Sequence, residues 1–426
     1  MQFRGMSWYG CSMADKTYVR RLADPLFDDY VKGFPAVLVT GPRAAGKTTM
    51  CHRSAASVLR LDEPSTASAV SAGPDAILRS SPTPVLVDEW QEVPEILGAV
   101  KRWVDEDPTP GRVILTGSVA APLNTKTWPG TGRIITIDLL GLTQREIRGR
   151  LNRTDWIDAV VGGDLGDVHV PDPAPDLADY IDIILMSGFP EPALRLPLDL
   201  RRAWLYAYLE HVVQRDIPSL DHRRDPVRLE RWLAASALLT SAIPHLNTLT
   251  EAAGVDRRTG QAYDDILARL YLLDLMPAWH SNRLSRLTSQ PKRHFVDAGL
   301  AAAAIGSDAA MILRDGGLLG SLLETFVVSQ LRPEANLRRS RTRLFHLRTD
   351  GGRNEVDIVV DLGGGRVMGI EVKSAGTVQQ RDARHLKALR NALGDNFVRG
   401  VVLHTGPFAH ELDERIWALP ISSFWG

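Results

Sequence analysis

The chain has 426 residues, 44% hydrophobic and 24% charged, with a formal net charge of -1. At about 150 residues per domain that length predicts roughly two to four domains, and the composition excludes the disordered and membrane-embedded classes. A charge this close to zero confines any nucleic-acid contact to a local patch. No run approaches the roughly 18 apolar residues of a membrane-spanning helix.

In chain order, "MQFRGMSWYGCSMADK" has no apolar segment of the export type. Two cysteines, Cys11 and Cys51, are too few for a disulfide framework. Both features predict a cytoplasmic protein with no membrane partner, in which residues 1–14 form a tail. Residues 15–150 then alternate short apolar runs with helical patterns: "AVLVT" at 36–40, "VLVDEW" at 85–90, "RVILTGS" at 112–118 and "IITIDL" at 134–139. Such alternation predicts a parallel sheet flanked by helices.

The first strand runs into "GPRAAGKTT", residues 41–49, which matches G-x-x-x-x-G-K-[ST] in the strand-to-helix context that the motif requires. Gly41, Pro42, Arg43, Ala44, Ala45 and Gly46 would fold into a nest of backbone donors for phosphate. Lys47 would reach the β/γ oxygens, Thr48 would ligate Mg²⁺, and Thr49 completes the motif. "VLVDEW" ends in Asp88, expected to hold the metal, and Glu89, expected to polarise the attacking water. Thr116 and Ser118 fall at the mouth of the same sheet, where a polar side chain could sense the terminal phosphate. Arg43 and Arg133 are candidates for neutralising transition-state charge, Arg133 from a neighbouring subunit; for Arg133 a surface salt bridge is the alternative. No N-K-x-D guanine signature follows, since "NTKT" at 124–127 does not match it, so ATP is expected over GTP.

Residues 151–240 contain a Gly/Pro/Asp-dense loop and then a helical pattern, with a strong apolar stripe in "RRAWLYAYLEHVVQRDI". Residues 241–314 include a helix, a turn at Gly254 and a second helix starting near Asp256, the outline of a helix-turn-helix. "LMPAWHSN" and "KRHFVDAGL" would supply the strands of a wing, and Asp256, Arg257, Arg258, Thr259 and Gln261 could meet phosphates or base edges. "RPEANLRRSRTRLFHLR", at 332–348, is a stronger basic stretch and a candidate phosphate contact.

Residues 315–426 read as a separate α/β unit, with strands at 343–348, 355–361, 366–373 and 398–404 and a helix at 379–393. A hairpin turning at Gly364 would set Asp357 opposite Glu371 and Glu355 opposite Lys373, all on one face. Val356, Ile358 and Val360 would line the other face with Met368, Ile370 and Val372. Facing carboxylates are unfavourable in a ladder unless something cationic lies between them.

Taken in order, "GPRAAGKTT", "LVDEWQEVPE", "ILTGS", "GTGRI", "SGFPEP", "QRDI", "KRHFVDAGL", "LLETFVV", "NEVDIVV", "GIEVKSAG" and "GVVLHTG" give a chain that resembles prokaryotic AAA-superfamily P-loop ATPases. These carry an uncharacterised C-terminal domain of PD-(D/E)XK restriction-endonuclease-like type. The resemblance implies an α/β chain with an AAA-type nucleotide domain, a helical and winged-helix middle region and a nuclease-like C-terminal domain. It departs from many AAA proteins at Thr116-Gly117-Ser118, where those carry an asparagine.

The same resemblance implies a metal site of Glu324, Asp357 and Glu371, with Lys373 as a catalytic lysine. Such oxygen ligands suit Mg²⁺. The expectation is an Mg²⁺-dependent ATPase whose nucleotide state controls a nuclease-like, DNA-associated domain. The alternative is a non-nucleolytic ATP switch or adaptor for a protein or DNA partner. A homo-oligomer is compatible with either.

Overall fold

The computed structural model describes residues 18–118, 132–151, 154–162, 168–217, 225–280, 289–339, 342–349 and 354–426. The predicted "NTKT" segment, the tail, Cys11 and Arg341 of the basic stretch lie outside these residues.

The first sheet contains β1 (Ala36–Thr40), β2 (Ser57–Arg60), β3 (Val85–Asp88), β4 (Val113–Gly117) and β5 (Ile134–Asp138). Its order is β2-β3-β4-β1-β5 and every pairing is parallel. Strand β1 is buried along its whole length because both its faces are covered. Val37 and Val39 pack with Phe27, Met50 and Cys51 from the helices Asp24–Gly33 and Lys47–His52. On the opposite face Ala36 and Leu38 pack with Ile96, Val100 and Trp103 of the helix Ile96–Glu106. Strand β2 escaped the sequence reading because its half-buried "SVLR" carries little apolar signal.

The middle region is helical, and its helices Pro226–Leu238, Leu246–Ala253 and Arg257–Arg269 lead into a two-stranded antiparallel ribbon, β6 (Leu273–Met276) and β7 (Lys292–Phe295). Gly254 closes the first of the paired helices at φ 65°, and the Asp256 carboxylate caps the second by accepting from Thr259 N at 2.9 Å. A 22-residue helix, Gly316–Leu337, then passes beneath the second large sheet.

That sheet comprises β8 (Arg343–Thr349), β9 (Asn354–Gly363), β10 (Arg366–Val372), β11 (Phe397–His404), β12 (His410–Asp413) and β13 (Ile416–Pro420), in the order β12-β13-β11-β10-β9-β8. The hairpin register is the expected one: Val360 faces Met368 and Ile358 faces Ile370. Its charged face, however, is not open along its length. Val359 and Val367 are buried beneath Leu386 and Leu389 of the helix Arg384–Leu393. The other face, with Ile358, Val360, Met368 and Ile370, joins a core that continues through the long helix into the helical middle region.

No helix among the described residues is long and apolar enough to cross a membrane.

Candidate functional site

The glycine motif turns at the carboxyl end of β1, where backbone crowding dictates its residues. A Cβ at Gly41 would lie 2.0 Å from the Leu139 carbonyl oxygen, and Gly46 has φ 92°. Pro42 and Ala45 are buried, Arg43 is half-buried, and Ala44 and Thr49 are exposed. Lys47 is 4% exposed and donates to the carbonyls of Gly41 at 3.1 Å and Pro42 at 2.8 Å. Burial pushes its pKa down to about 8, against the pull of Glu89 and Asp88.

The adjacent strand ends complete the constellation. Thr48 Oγ1 donates to Asp88 Oδ1 at 2.8 Å, and the fully buried Thr116 hydroxyl donates to the same oxygen. Glu89, at φ 55°, has its backbone N–H on Thr116 Oγ1 at 3.2 Å, so its side chain leaves the strand in a new direction. Its carboxylate accepts from Ser118 Oγ at 3.0 Å and from the Gln91 amide. Gln91 was not singled out in the sequence, although its position two residues after Glu89 is the available signal. Thr116 and Ser118 thus position Asp88 and Glu89.

Arg133 is in a different place. It immediately precedes β5, at the end of a parallel sheet opposite the glycine loop, and pairs with Asp105. Five residues of strand span about 16 Å, so Arg133 is remote from the phosphate loop of its own chain.

Several residues outside the motif tie this loop to its surroundings. Arg21, buried, donates from Nε to Glu146 at 2.9 Å, from Nη1 to Ala45 O at 2.9 Å and from Nη2 to Leu140 O at 2.7 Å. Tyr208, in the helix Leu198–His211, donates to Arg43 O at 3.4 Å. Tyr271, just before β6, donates to Asp138 Oδ1 at 3.2 Å; that oxygen also accepts from Thr40, the residue preceding Gly41. The segments "SGFPEP" and "KRHFVDAGL" meet where Gly188 N donates to Asp297 at 2.7 Å, while Gly188 O accepts from Leu142 N at 2.6 Å.

The C-terminal carboxylates are brought together, but not as a metal seat. Lys292 of β7, 1% exposed, places Nζ 2.7 Å from Glu324, 3.3 Å from Asp357 and 3.8 Å from Glu355. The cation beside Asp357 is therefore a lysine from the predicted wing, and the one beside Glu371 is Lys373. Glu371 is engaged by Lys373 Nζ at 2.9 Å, and Asp357 also accepts from Val372 N at 2.9 Å. Among the described residues no group of three or more His, Cys, Asp or Glu is arranged to hold a metal ion. The donor set of Glu324, Asp357 and Glu371 does not fit one as it stands. Burial raises both Glu324 and Glu371 to about 8. Burial also opposes the charge on Lys292, but Glu324 and Asp357 outweigh it and hold the lysine above its ordinary range.

The basic stretch is largely neutralised within the chain. Arg332 pairs with Asp274, Arg338 with Asp155 and Asp158, and Arg339 with Asp29. In the helix-turn-helix, Arg257, Arg258 and Gln261 are exposed, whereas Asp256 and Thr259 are bonded to each other.

Residues 33–148 match an AAA domain family. This segment is a P-loop AAA-type nucleotide domain, in keeping with the sheet and loop just described. Residues 177–310 and 319–424 match two domains of unknown function, DUF8612 and DUF4143, so the nuclease-like assignment is not supported by family. Two uncharacterised mycobacterial proteins, Mb2031c of Mycobacterium bovis and Rv2008c of Mycobacterium tuberculosis, are each 25% identical over 91% of this chain and 80% of their own length. Among solved structures, the Walker-type ATPase PABY2304 of Pyrococcus abyssi overlaps 67% of this chain and 96% of its own, at 12% identity and a TM-score of 0.43. The DNA clamp loader delta protein YqeN of Bacillus subtilis overlaps 72% and 99%, at 12% identity and a TM-score of 0.26. Both structural overlaps are too loose to transfer any detail.

Proposed function

We propose that the protein is an Mg²⁺-dependent ATPase that works as a switch, its nucleotide state repositioning the helical region and the C-terminal domain. The observation that carries this reading is the convergence of Lys47, Thr48, Asp88, Glu89 and Thr116 at adjoining ends of parallel strands. The side chains of Thr48 and Asp88 already meet and form an oxygen donor pair suited to Mg²⁺, which when bound would neutralise charge on the β/γ-phosphate oxygens.

Lys47 exchanges the Gly41 and Pro42 carbonyls for phosphate oxygens and regains full charge. Glu89 accepts a proton from, or orients, the attacking water; Ser118 and Gln91 set the carboxylate's direction. Thr116 holds Asp88 in place. A loop rearranged by phosphate pulls on Tyr208 through Arg43 O and on Arg21 through Ala45 O, which supports transmission into the helical region.

The non-nucleolytic form of the switch is favoured over nuclease control because Lys292 holds the carboxylates that a metal would need. DNA as the partner rests on the exposed Arg257, Arg258 and Gln261 at the start of one helix; a protein partner is the other arm. The test compares wild type, Lys47→Ala and Lys373→Ala for phosphate release and for nicking of plasmid and single-stranded DNA with Mg²⁺ or Mn²⁺. Phosphate release in wild type and Lys373→Ala but not Lys47→Ala, with no nicking, is expected. Nicking by wild type that Lys373→Ala abolishes would restore the nuclease reading.

A further inference from the structure

A cavity of about 270 Å³ lies where the nucleotide domain, the helical region and the long helix meet. Its walls are the end of β5 with the turn after it, the helix Leu177–Met186, the β6–β7 ribbon and the helix Gly316–Leu337. Small residues at the convergence, Ser187, Gly188, Ala298 and Ser329, leave the space between these elements unfilled. The buried side chains of Leu142, Ile184, Leu273, Phe295 and Phe326 give it an apolar lining. No residue of the phosphate loop lines it, and neither does Asp88 or Glu89.

Three aspartates reach this cavity, Asp138, Asp274 and Asp297, and two of them are already satisfied. Asp297, raised by burial, caps the helix Ala298–Ala304 and accepts from Leu300 N and Gly188 N, each at 2.7 Å. Asp274 is offset by Arg332, whose Nε donates to it at 2.6 Å. Asp138 has hydroxyl partners only, Thr40 at 2.8 Å and Tyr271 at 3.2 Å, and both fall on Oδ1. Burial and the Asp138 charge raise the Tyr271 hydroxyl above its ordinary range, so it donates and brings no charge of its own. Among the described residues no Lys, Arg or His forms an ion pair with Asp138, and its Oδ2 is left to accept from a ligand.

A carboxylate without a counter-charge, at the edge of an apolar cavity, selects a ligand that brings both a cation and an apolar body. A cavity of ~150 Å³ takes up benzene, so this one has room for roughly 11 non-hydrogen atoms, far short of a nucleotide. An ammonium suits the site better than a bare metal ion, because one free carboxylate oxygen cannot supply the several oxygen ligands that a hard cation requires.

We propose that this cavity is a second binding site, for a small primary amine with a compact apolar body, whose ammonium meets Asp138 Oδ2 while its body packs on Phe295 and Phe326. The site backs onto the nucleotide seat without being part of it: Asp138 Oδ1 accepts from Thr40, and the Leu139 carbonyl leaves no room for a Cβ at Gly41. Amine and nucleotide are bound at the same time.

The experiment titrates the full chain with phenethylamine by calorimetry at neutral pH, with 2-phenylethanol and 3-phenylpropionate as its neutral and anionic counterparts. One phenethylamine per chain is expected, with both counterparts at least ~10-fold weaker, the loss of one charge-assisted hydrogen bond. The same drop is expected for the amine in Asp138→Asn, whose amide oxygen can still accept from Thr40 and Tyr271. Ser329→Phe, which fills the space from the long helix, is expected to abolish binding. Saturation with a non-hydrolysable ATP analogue should leave the amine stoichiometry unchanged. The comparison of amine with alcohol in the wild-type chain needs no variant to fold. No amine binding by wild type, equal affinity for amine and alcohol, undiminished binding in Asp138→Asn, or displacement of the amine by the ATP analogue would overturn the proposal.

Discussion

Arg21 offers the sharpest perturbation of the nucleotide loop from outside the motif. Its guanidinium and the Glu146 carboxylate are 5% and 2% exposed, and they meet at 2.9 Å. Glu146 also accepts from Leu22 N at 2.7 Å and Thr143 N at 2.7 Å, so it stays in place when Arg21 is removed. Arg21→Met therefore leaves a buried, uncompensated carboxylate, a change that costs about 3–5 kcal/mol. The substitution also frees Ala45 O, whose charge-assisted hydrogen bond is worth about 1.5–3 kcal/mol, and so weakens ATP binding by at least ~10-fold.

Hydrogen exchange across residues 36–50 reads the first effect, and a loss of 3 kcal/mol accelerates it on the order of 100-fold. Titration with a fluorescent ATP analogue reads the second. Arg21→Met/Glu146→Gln should recover about 2 kcal/mol of the loss, since the two residues are directly coupled. Arg21→Met with wild-type exchange and ATP affinity would refute the reasoning.

Three further outcomes follow from the structure. Lys47 is depressed to about 8 in the nucleotide-free chain and must be charged against phosphate. At pH 8 ATP binding should therefore take up about half a proton, and affinity should fall as pH rises above that value. Calorimetry in buffers of different ionisation enthalpy measures the uptake, and a heat independent of buffer contradicts it. Gly188→Ala would set a Cβ 2.6 Å from Leu142 O at the junction of the nucleotide domain with the helical region; thermal unfolding should show a loss of about 1–3 kcal/mol. Gly320→Ala, in a helix with nothing within 4 Å, should be neutral or stabilising.

The nucleotide loop was legible because its chemistry is contiguous: glycines, lysine and threonine act within a few residues of one another. The hairpin register was legible too, because alternation and the glycine turn at 363–365 leave one pairing that buries Ile358 and Ile370 together. The facing of Asp357 and Glu371 led the sequence reading to a metal; that a lysine stands beside Asp357 was not legible, because Lys292 reaches it from 65 residues away, through a ribbon whose docking no local pattern encodes.

The internal pairing of the basic stretch was hidden for the same reason: the partners of Arg338 and Arg339, Asp155, Asp158 and Asp29, are remote in sequence. Arg133 was different. Strand direction in a parallel sheet was enough to place it at the end opposite the glycine loop. Strands β12 and β13 were missed because "HELD" and "IWALP" are too short to show a period.

The central claim, that this arrangement of strand ends turns ATP over, is tested most directly by phosphate release from Glu89→Gln. The isosteric amide can still meet Ser118 but cannot accept a proton from water. The account predicts ATP affinity near that of wild type with turnover reduced ~100-fold or more, the range expected for loss of a positioned base. Turnover at the wild-type rate in Glu89→Gln, or binding without hydrolysis by the wild-type chain, would contradict it.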